Sequence, residues 1–512
     1  MSPRKYAEFL TAEQVREVHA ASLEILESVG MLVRNADARA VLGRHGCRVD
    51  SESELVHFPR AVVEDFRAAT PPKFTFYARD PDYDVTVPDN RPAIMTASSA
   101  PNILDPVTGE ERRARSDDMA RIAHLINELP GYDLFSVSVL ADDAPAGHFS
   151  LSRYYPALKN MVKPVRGNAP SVEEARKIIR LGEFVAGSPE AYRERPLITH
   201  HYCPCVSPLT MDYDSTAQLL YLCEENLPSY ATLVPNAGLT SPLTLLGTLA
   251  QSNAEFLAYA TLTQMVQPGK PLLYSSLPVV SDMRTGAYAP GAVETGILVA
   301  GVAQMARYYN LPCAGYLGLT NSKVNDSQAG FETGMSNVLG ALAGVDVFNM
   351  GGLFDALMTF DFAKAVIDSE IGMMLKRIAC GFEVDGAEMA LDLIAEIGPG
   401  GMFAATQHTL QRMRKTALLP HVADRDMRQT WVENGALDAH ARAMQTVREI
   451  LTRDNPAVFS PDVDLRVRAA FEGLVAGDAT PPPEWQGEAV EAASVGQRRN
   501  GRRWRRRRRG DE

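Results

Sequence analysis

The chain has 512 residues, 46% of them hydrophobic, and a formal net charge of −12. That is enough apolar material for one large core with smaller attachments, and the acidic balance argues against nucleic acid as the main partner. No apolar run reaches the roughly 18 residues of a membrane span and no basic-flanked apolar leader opens the sequence, so a reduced cytoplasmic protein is the expectation.

Residues 1–90 read as an α/β cap. Thr11-Ala12-Glu13-Gln14 fits a capping box, and Val15, Val18, Leu23, Ile25, Leu26 and Val29 give the helix behind it one apolar face. Strand-like runs at Leu55–Phe58 and Phe74–Tyr77 flank a helix near 60–69, and the Asp/Pro-rich stretch 80–90 reads as a loop or hairpin.

Residues 91–382 then repeat one pattern. Candidate strands fall at Ala93–Ala97, Leu134–Leu140, Pro164–Asn168, Leu197–Tyr202, Ser229–Val234, Leu272–Ser276, Cys313–Leu319 and Val345–Met350, with helical stretches between them. Eight strand–helix units predict an α/β fold of the (β/α)₈ TIM-barrel kind. An open doubly wound sheet would carry a glycine-rich phosphate loop after its first strand, and Ala97-Ser98-Ser99-Ala100-Pro101-Asn102 does not match one. Residues 383–475 read as a helical extension, with helices at Glu388–Ile397, Thr409–Arg414 and within Arg425–Leu451. Pro481-Pro482-Pro483 lies in a polar tail, 476–512, that carries nine arginines in 498–509 and is expected to be disordered.

Barrels of this kind place ligands at the C-terminal ends of their strands. His200-His201 closes strand four, and alternation allows at most one of the pair to face the lumen. The loop after strand seven offers Lys323, Asp326, Gln328 and Glu332; the last two are spaced i,i+4, so one helical face presents both. The plainer reading makes Asp326 or Ser327 an N-cap and Glu332 a dipole or salt-bridge partner, and the spacing does not choose between them. Tyr202, Tyr274, Phe331, Phe348, Phe354, Phe360 and Phe362 gather near strand ends, where rings can cage a quaternary ammonium or simply fill the core. His408, after the glycine turn Gly398-Pro399-Gly400-Gly401, reads as a helix cap or a site residue. Cys203-Pro-Cys205 is a C-x-C pair rather than a paired C-x-x-C zinc motif, and no G-x-S-x-G elbow or P-loop occurs.

Three segments, NSKVNDSQAGFE (321–332), MTFDFAKAVIDSE (358–370) and GPGGMFAATQHTLQRMRK (398–415), resemble the trimethylamine methyltransferase family, and the likeness spans about residues 8–475. The resemblance implies a TIM barrel that moves a methyl group from a methylated amine to the Co(I) of a corrinoid held on a separate protein, with no tightly bound metal of its own. Trimethylamine enzymes of that family carry pyrrolysine in the barrel. This sequence holds only standard residues, so it resembles the non-pyrrolysine branch, whose theme is quaternary amines such as glycine betaine. On that resemblance, Gln328 or a neighbour stands where pyrrolysine would, Glu332 and Asp326 supply acid near the cation, and Gln328 orients the nitrogen substituent. Donors such as His201, Asn236 or Lys323 are expected to hold a betaine carboxylate, and Tyr202, Tyr274, Phe348, Phe354 and His408 complete the substrate pocket. Self-association is open to such a protein. A barrel lyase or hydrolase of another small metabolite and an idle betaine-binding protein are the competing readings.

Overall fold

The computed structural model describes residues 6–383 and 388–485. Eight parallel strands form one sheet: β1 (Ala93–Met95), β2 (Phe135–Ser136), β3 (Val165–Asn168), β4 (Ile198–Tyr202), β5 (Ser229–Leu233), β6 (Tyr274–Ser276), β7 (Cys313–Tyr316) and β8 (Val347–Asn349). Each pairs in parallel with its sequence neighbour, β8 returns to β1, and a parallel bridge between Met95 and Leu134 completes the ring. One long helix follows each strand: α1 (Ser116–Glu128), α2 (Leu151–Lys159), α3 (Val172–Ala186), α4 (Tyr213–Glu224), α5 (Leu245–Val266), α6 (Val293–Tyr308), α7 (Ser327–Ala343) and α8 (Phe362–Cys380). The eight-unit barrel expected from the sequence is the fold. Short polar residues start several of these helices, with Ser171, Asp212, Asp326 and Asp361 each accepting from a first-turn backbone N–H.

The cap is built into the barrel rather than set beside it. Its capping-box helix, Ala12–Glu24, forms as expected. The strands Met31–Val33, Arg48–Asp50 and Leu55–His57 share a five-stranded sheet with Cys205–Val206 and Thr210–Met211, both from the loop after β4. Buried Glu255 on α5 clasps that loop, accepting from Ser207 Oγ at 2.7 Å and the Leu209 N–H at 3.0 Å. The hairpin Phe74–Phe76/Val85–Val87 drives its rings against inward-facing Tyr230. With Leu134, Leu273, Ala314 and Val347 it makes a separate apolar cluster that plugs the barrel at the N-terminal ends of the strands.

The C-terminal segment forms Leu391–Ile397, Gln407–Thr416, Arg428–Glu433, Ala439–Leu451 and Pro461–Ala470, so Arg425–Leu451 holds two helices. Glu370 on α8 anchors it by accepting the N–H groups of His421, Val422 and Ala423. The start of the expected disordered tail is instead packed. Asp478 and Thr480 bond to Asp117 and Arg121 of α1, and buried Trp485 lies under Arg448, so an aromatic at the end of a proline run finds a place in the helix layer. The arginine cluster at 498–509 lies outside the described residues. Among the described residues, no helix is long and apolar enough to cross a membrane.

Candidate active site

Strand alternation decides what faces the lumen. Above the apolar plug the inward positions turn polar: Ser136, Arg166, His201, Thr232, Ser275, Tyr316 and Asn349, one from each of β2 to β8, all buried. Arg166 is the centre of this ring. One terminal nitrogen donates to Ser136 Oγ at 2.7 Å and Ser98 Oγ at 3.3 Å, and the other donates to the Tyr316 hydroxyl. The guanidinium carbon lies 5.4 Å from the Tyr230 ring and 5.8 Å from the Tyr316 ring. Among the described residues its Nε has no hydrogen-bond partner, and no carboxylate forms an ion pair with it. Burial disfavours its charge, but Tyr230 and Tyr316 more than offset this and raise its pKa, so it stays a cation.

His201 completes the ring from the other side. Its Nε2 lies 2.8 Å from Thr232 Oγ1, which lies 2.8 Å from Ser275 Oγ, and its ring meets Tyr230 edge-on at 5.3 Å. Burial first, and Arg166 second, hold its pKa well below the ordinary histidine value, so the imidazole is neutral. A second buried arginine, Arg153 of α2, donates to Asn168 Oδ1 at 3.2 Å and Ser99 Oγ at 3.4 Å. Two guanidiniums therefore converge on the Ser98-Ser99 turn after β1, where Ser99 takes a φ of 70°. At the mouth, Cys203 is exposed on one side. Its thiol is pushed up to about 11 by the protein around it, which outweighs the pull of Arg166.

The residues singled out in the sequence divide sharply. His201 faces the lumen, while His200 points outward to the helix layer, where burial pushes its pKa down to about 3. Tyr202, Tyr274 and Phe348 sit one position out of phase with the lumen ring. Tyr202 meets Tyr259 of α5 edge-on, Tyr274 stacks on Phe256 at 3.8 Å and donates to Asn253, and Phe348 abuts Gly340 of α7. None of the three can touch a ligand in the lumen. Phe354 is buried after β8, and the cation over its face is Lys364 Nζ at 5.5 Å, itself 3.0 Å from Asp368.

Around β7 the plainer reading holds for Asp326 but not for Glu332, which forms no ion pair among the described residues and clamps its own loop instead. Asp326 caps α7, accepting the Ala329 N–H at 3.0 Å and Ser322 Oγ at 2.9 Å. Glu332 accepts from Thr320 Oγ1 at 2.6 Å, the Asn321 N–H at 2.8 Å and Gln328 Nε2 at 3.0 Å. The i,i+4 pair expected to face a substrate cation thus clamps its own loop beside Gly291, where an added Cβ would come within 2.4 Å of the Glu332 carboxylate. Lys323 is exposed, 3.2 Å from Asp355. Asn236 stands in the mouth wall and accepts from Ser281 Oγ at 2.7 Å. His408 is half-buried on Gln407–Thr416, a helix that bonds through Thr416 to Arg377, near the end of α8 farthest from the mouth. The sequence reading passed over Arg166, Tyr230 and Tyr316. The available signal was phase: Arg166 stands in the short strand Val165-Arg166-Gly167-Asn168, where an arginine on an inward position has no solvent to reach.

A family model for trimethylamine methyltransferase matches residues 2–472. The chain belongs to the trimethylamine methyltransferase family. Trimethylamine methyltransferase MttB of Desulfitobacterium hafniense is 30% identical over 464 residues, which covers 90% of this chain and 92% of that protein. A glycine betaine methyltransferase from another strain of that species is 30% identical over 463 residues, covering 90% and 95%. The crystal structure of the Methanosarcina barkeri monomethylamine methyltransferase aligns over 90% of this chain and 93% of that one, with a TM-score of 0.46 and 11% identity.

Proposed function

We propose that this protein takes a methyl group from the quaternary nitrogen of a betaine and passes it to the Co(I) of a corrinoid carried on a separate protein. The family supports the methyl transfer, and the Desulfitobacterium relatives named for trimethylamine and for glycine betaine frame the choice of donor. The observation that favours the betaine is Arg166, a buried cation in the lumen with a free Nε and no acidic partner among the described residues.

Charge favours a betaine. Two like charges about 6 Å apart at an effective dielectric near 20 repel by about 3 kcal/mol. A bare ammonium beside Arg166 would bear that cost. A betaine reverses its sign, because its carboxylate can approach the guanidinium more closely than its nitrogen does, in the two-point geometry that arginine favours. Neutral His201, Tyr230 and Tyr316 then surround the ligand with ring faces and hydroxyl groups and add no second charge.

This arrangement also fits the chemistry of leaving. A quaternary nitrogen departs as a neutral amine, so no proton need be delivered. The lumen's histidine is held neutral and hydrogen-bonded, as such a reaction permits. The acceptor's Co(I) supplies the nucleophile when its carrier docks. The lumen residues hold the carboxylate on the Arg166 side and leave the methyl-bearing nitrogen toward the mouth, so their contribution is alignment in a dry cavity.

The test is a donor panel with purified protein and free cob(I)alamin. Glycine betaine or another betaine should methylate the corrinoid. Choline, with the same trimethylammonium and a hydroxyl in place of the carboxylate, should not. Turnover of choline or trimethylamine with no turnover of any betaine would overturn the proposal.

A further inference from the structure

Arg166 has a second cation above it. Arg153, in the first turn of α2, is 2% exposed, and its guanidinium donates to Asn168 Oδ1 at 3.2 Å and Ser99 Oγ at 3.4 Å. Both bonds leave from one terminal nitrogen and both go to uncharged oxygens, while the Nε has no partner among the described residues. The exposed ring of Phe149 lies 5.6 Å from the guanidinium carbon and covers one of its faces. Arg166 has the phenols of Tyr230 and Tyr316 to offset its burial. Arg153 has Tyr154, which does not suffice, and burial pulls its pKa below the ordinary arginine value. Among the described residues no carboxylate forms an ion pair with either arginine.

The two guanidiniums address one surface. Asn168 lies two residues beyond Arg166 on the same inward face of β3, about 7 Å nearer the mouth. Ser98, bonded to Arg166, and Ser99, bonded to Arg153, are consecutive in the turn after β1. One small ligand is therefore able to meet both.

We infer that the methyl donor carries a second carboxylate, which Arg153 receives while Arg166 holds the first. The inference rests on the betaine reading above and narrows its substrate class to quaternary amines with two acids on one short carbon skeleton. A donor with one carboxylate answers one guanidinium and turns its nitrogen toward the other, a like-charge contact that burial strengthens. A second carboxylate pairs with Arg153, in the two-point geometry its unspent donors suit, and stands between it and the nitrogen. The filled site then sets two acids against three cations, where a monocarboxylic betaine supplies one.

N,N,N-trimethylglutamate and N,N,N-trimethylglutamine are the matched probes, alike in shape and different by one charge. Calorimetry on the full chain without corrinoid reads binding, and free cob(I)alamin reads turnover. The wild type should favour the diacid about 30-fold or more in Kd and in kcat/KM, as when one side of a desolvated charge pair is missing. Arg153→Met should bring that ratio close to 1, and Arg153→Lys, which keeps the cation, should retain part of it. A structural Arg153 would weaken both probes together and leave the ratio as in the wild type, which overturns the inference. So does a wild type that turns over glycine betaine but does not separate the two probes, a result that leaves the betaine reading standing and requires no variant to fold. Turnover of no betaine at all sinks the betaine reading, and this inference with it.

Discussion

The lumen ring and the α6–α7 flank are each the inverse of what their position suggests. The inside of the barrel holds a guanidinium, an imidazole and a set of hydroxyl groups where packing alone would put valine and isoleucine. The outside of α7 holds phenylalanine, methionine, valine and leucine where solvation alone would put lysine and glutamate. Each inversion costs stability in the isolated chain: a buried cation with no acid beside it among the described residues in one place, a wet apolar stripe in the other. A betaine carboxylate is the proposed answer to the first.

The largest expected effect follows from the interior half of that contrast. Arg166→Met keeps the volume and removes the charge. Betaine turnover should lose about 2–5 kcal/mol, roughly 30-fold to several thousand-fold in kcat/KM, as when one partner of a desolvated charge pair is removed. The loss should fall mainly on KM, because the carboxylate contact is made equally in ground and transition states. Choline should lose far less and can gain, since the repulsion is gone. Equal losses on betaine and choline, in a variant folded as the wild type, would mean that Arg166 holds the lumen together and does not read the carboxylate.

The two regions also show where the sequence could be read and where it could not. The strand–helix alternation carries the barrel because each unit has its own period and turn signals, from β1 at Ala93 to α8 at Cys380. Side-chain direction depends on a single residue of phase. Tyr202 and Tyr274 looked as suited to a ligand as His201 does, yet one step along the strand turns them into the helix layer. The stripe Met335, Val338 and Leu342 has helical spacing, and helical spacing alone cannot say whether the apolar face meets the barrel or another molecule. The i,i+4 match of Gln328 and Glu332 was real, but it is satisfied locally, by a loop whose N–H groups needed an acceptor.

Glu332 supplies the intermediate effect and sharpens the contrast between lumen and rim. Glu332→Gln keeps the shape but weakens three hydrogen bonds at the start of α7. It should lower thermal stability by about 1–3 kcal/mol, the range for charged hydrogen bonds in a half-buried site. KM for betaine should stay within about twofold, because none of these bonds reaches a lumen residue. A selective rise in KM at unchanged stability would return this carboxylate to the substrate.

The smallest effect concerns His201 and separates a neutral lumen wall from a titrating one. Its pKa is depressed by burial and by Arg166, so protonation lies well below the ordinary 6.5. Between pH 5.5 and 8 the imidazole stays neutral, and kcat/KM for betaine should show no histidine limb. The same depression has a stability consequence of fixed sign. Above pH 6.5 both the folded and unfolded chains hold this histidine neutral and its contribution is intact. As pH falls below 6.5 the unfolded chain takes up the proton that the lumen refuses, and stability is lost down toward the folded pKa. One pH unit below the unfolded value the loss is at most about 1.4 kcal/mol. His201→Asn can keep a hydrogen bond to Thr232 without a proton to take up. Its denaturation midpoint should therefore fall less than the wild type's between pH 7.5 and 5.5, by a few tenths to about 1 kcal/mol. If instead the two proteins lose stability in parallel while kcat/KM of the wild type bends near pH 6.5, then the imidazole titrates in the folded lumen. A cationic ring beside Arg166 would then make the lumen a two-charge site built for a more acidic ligand than a betaine.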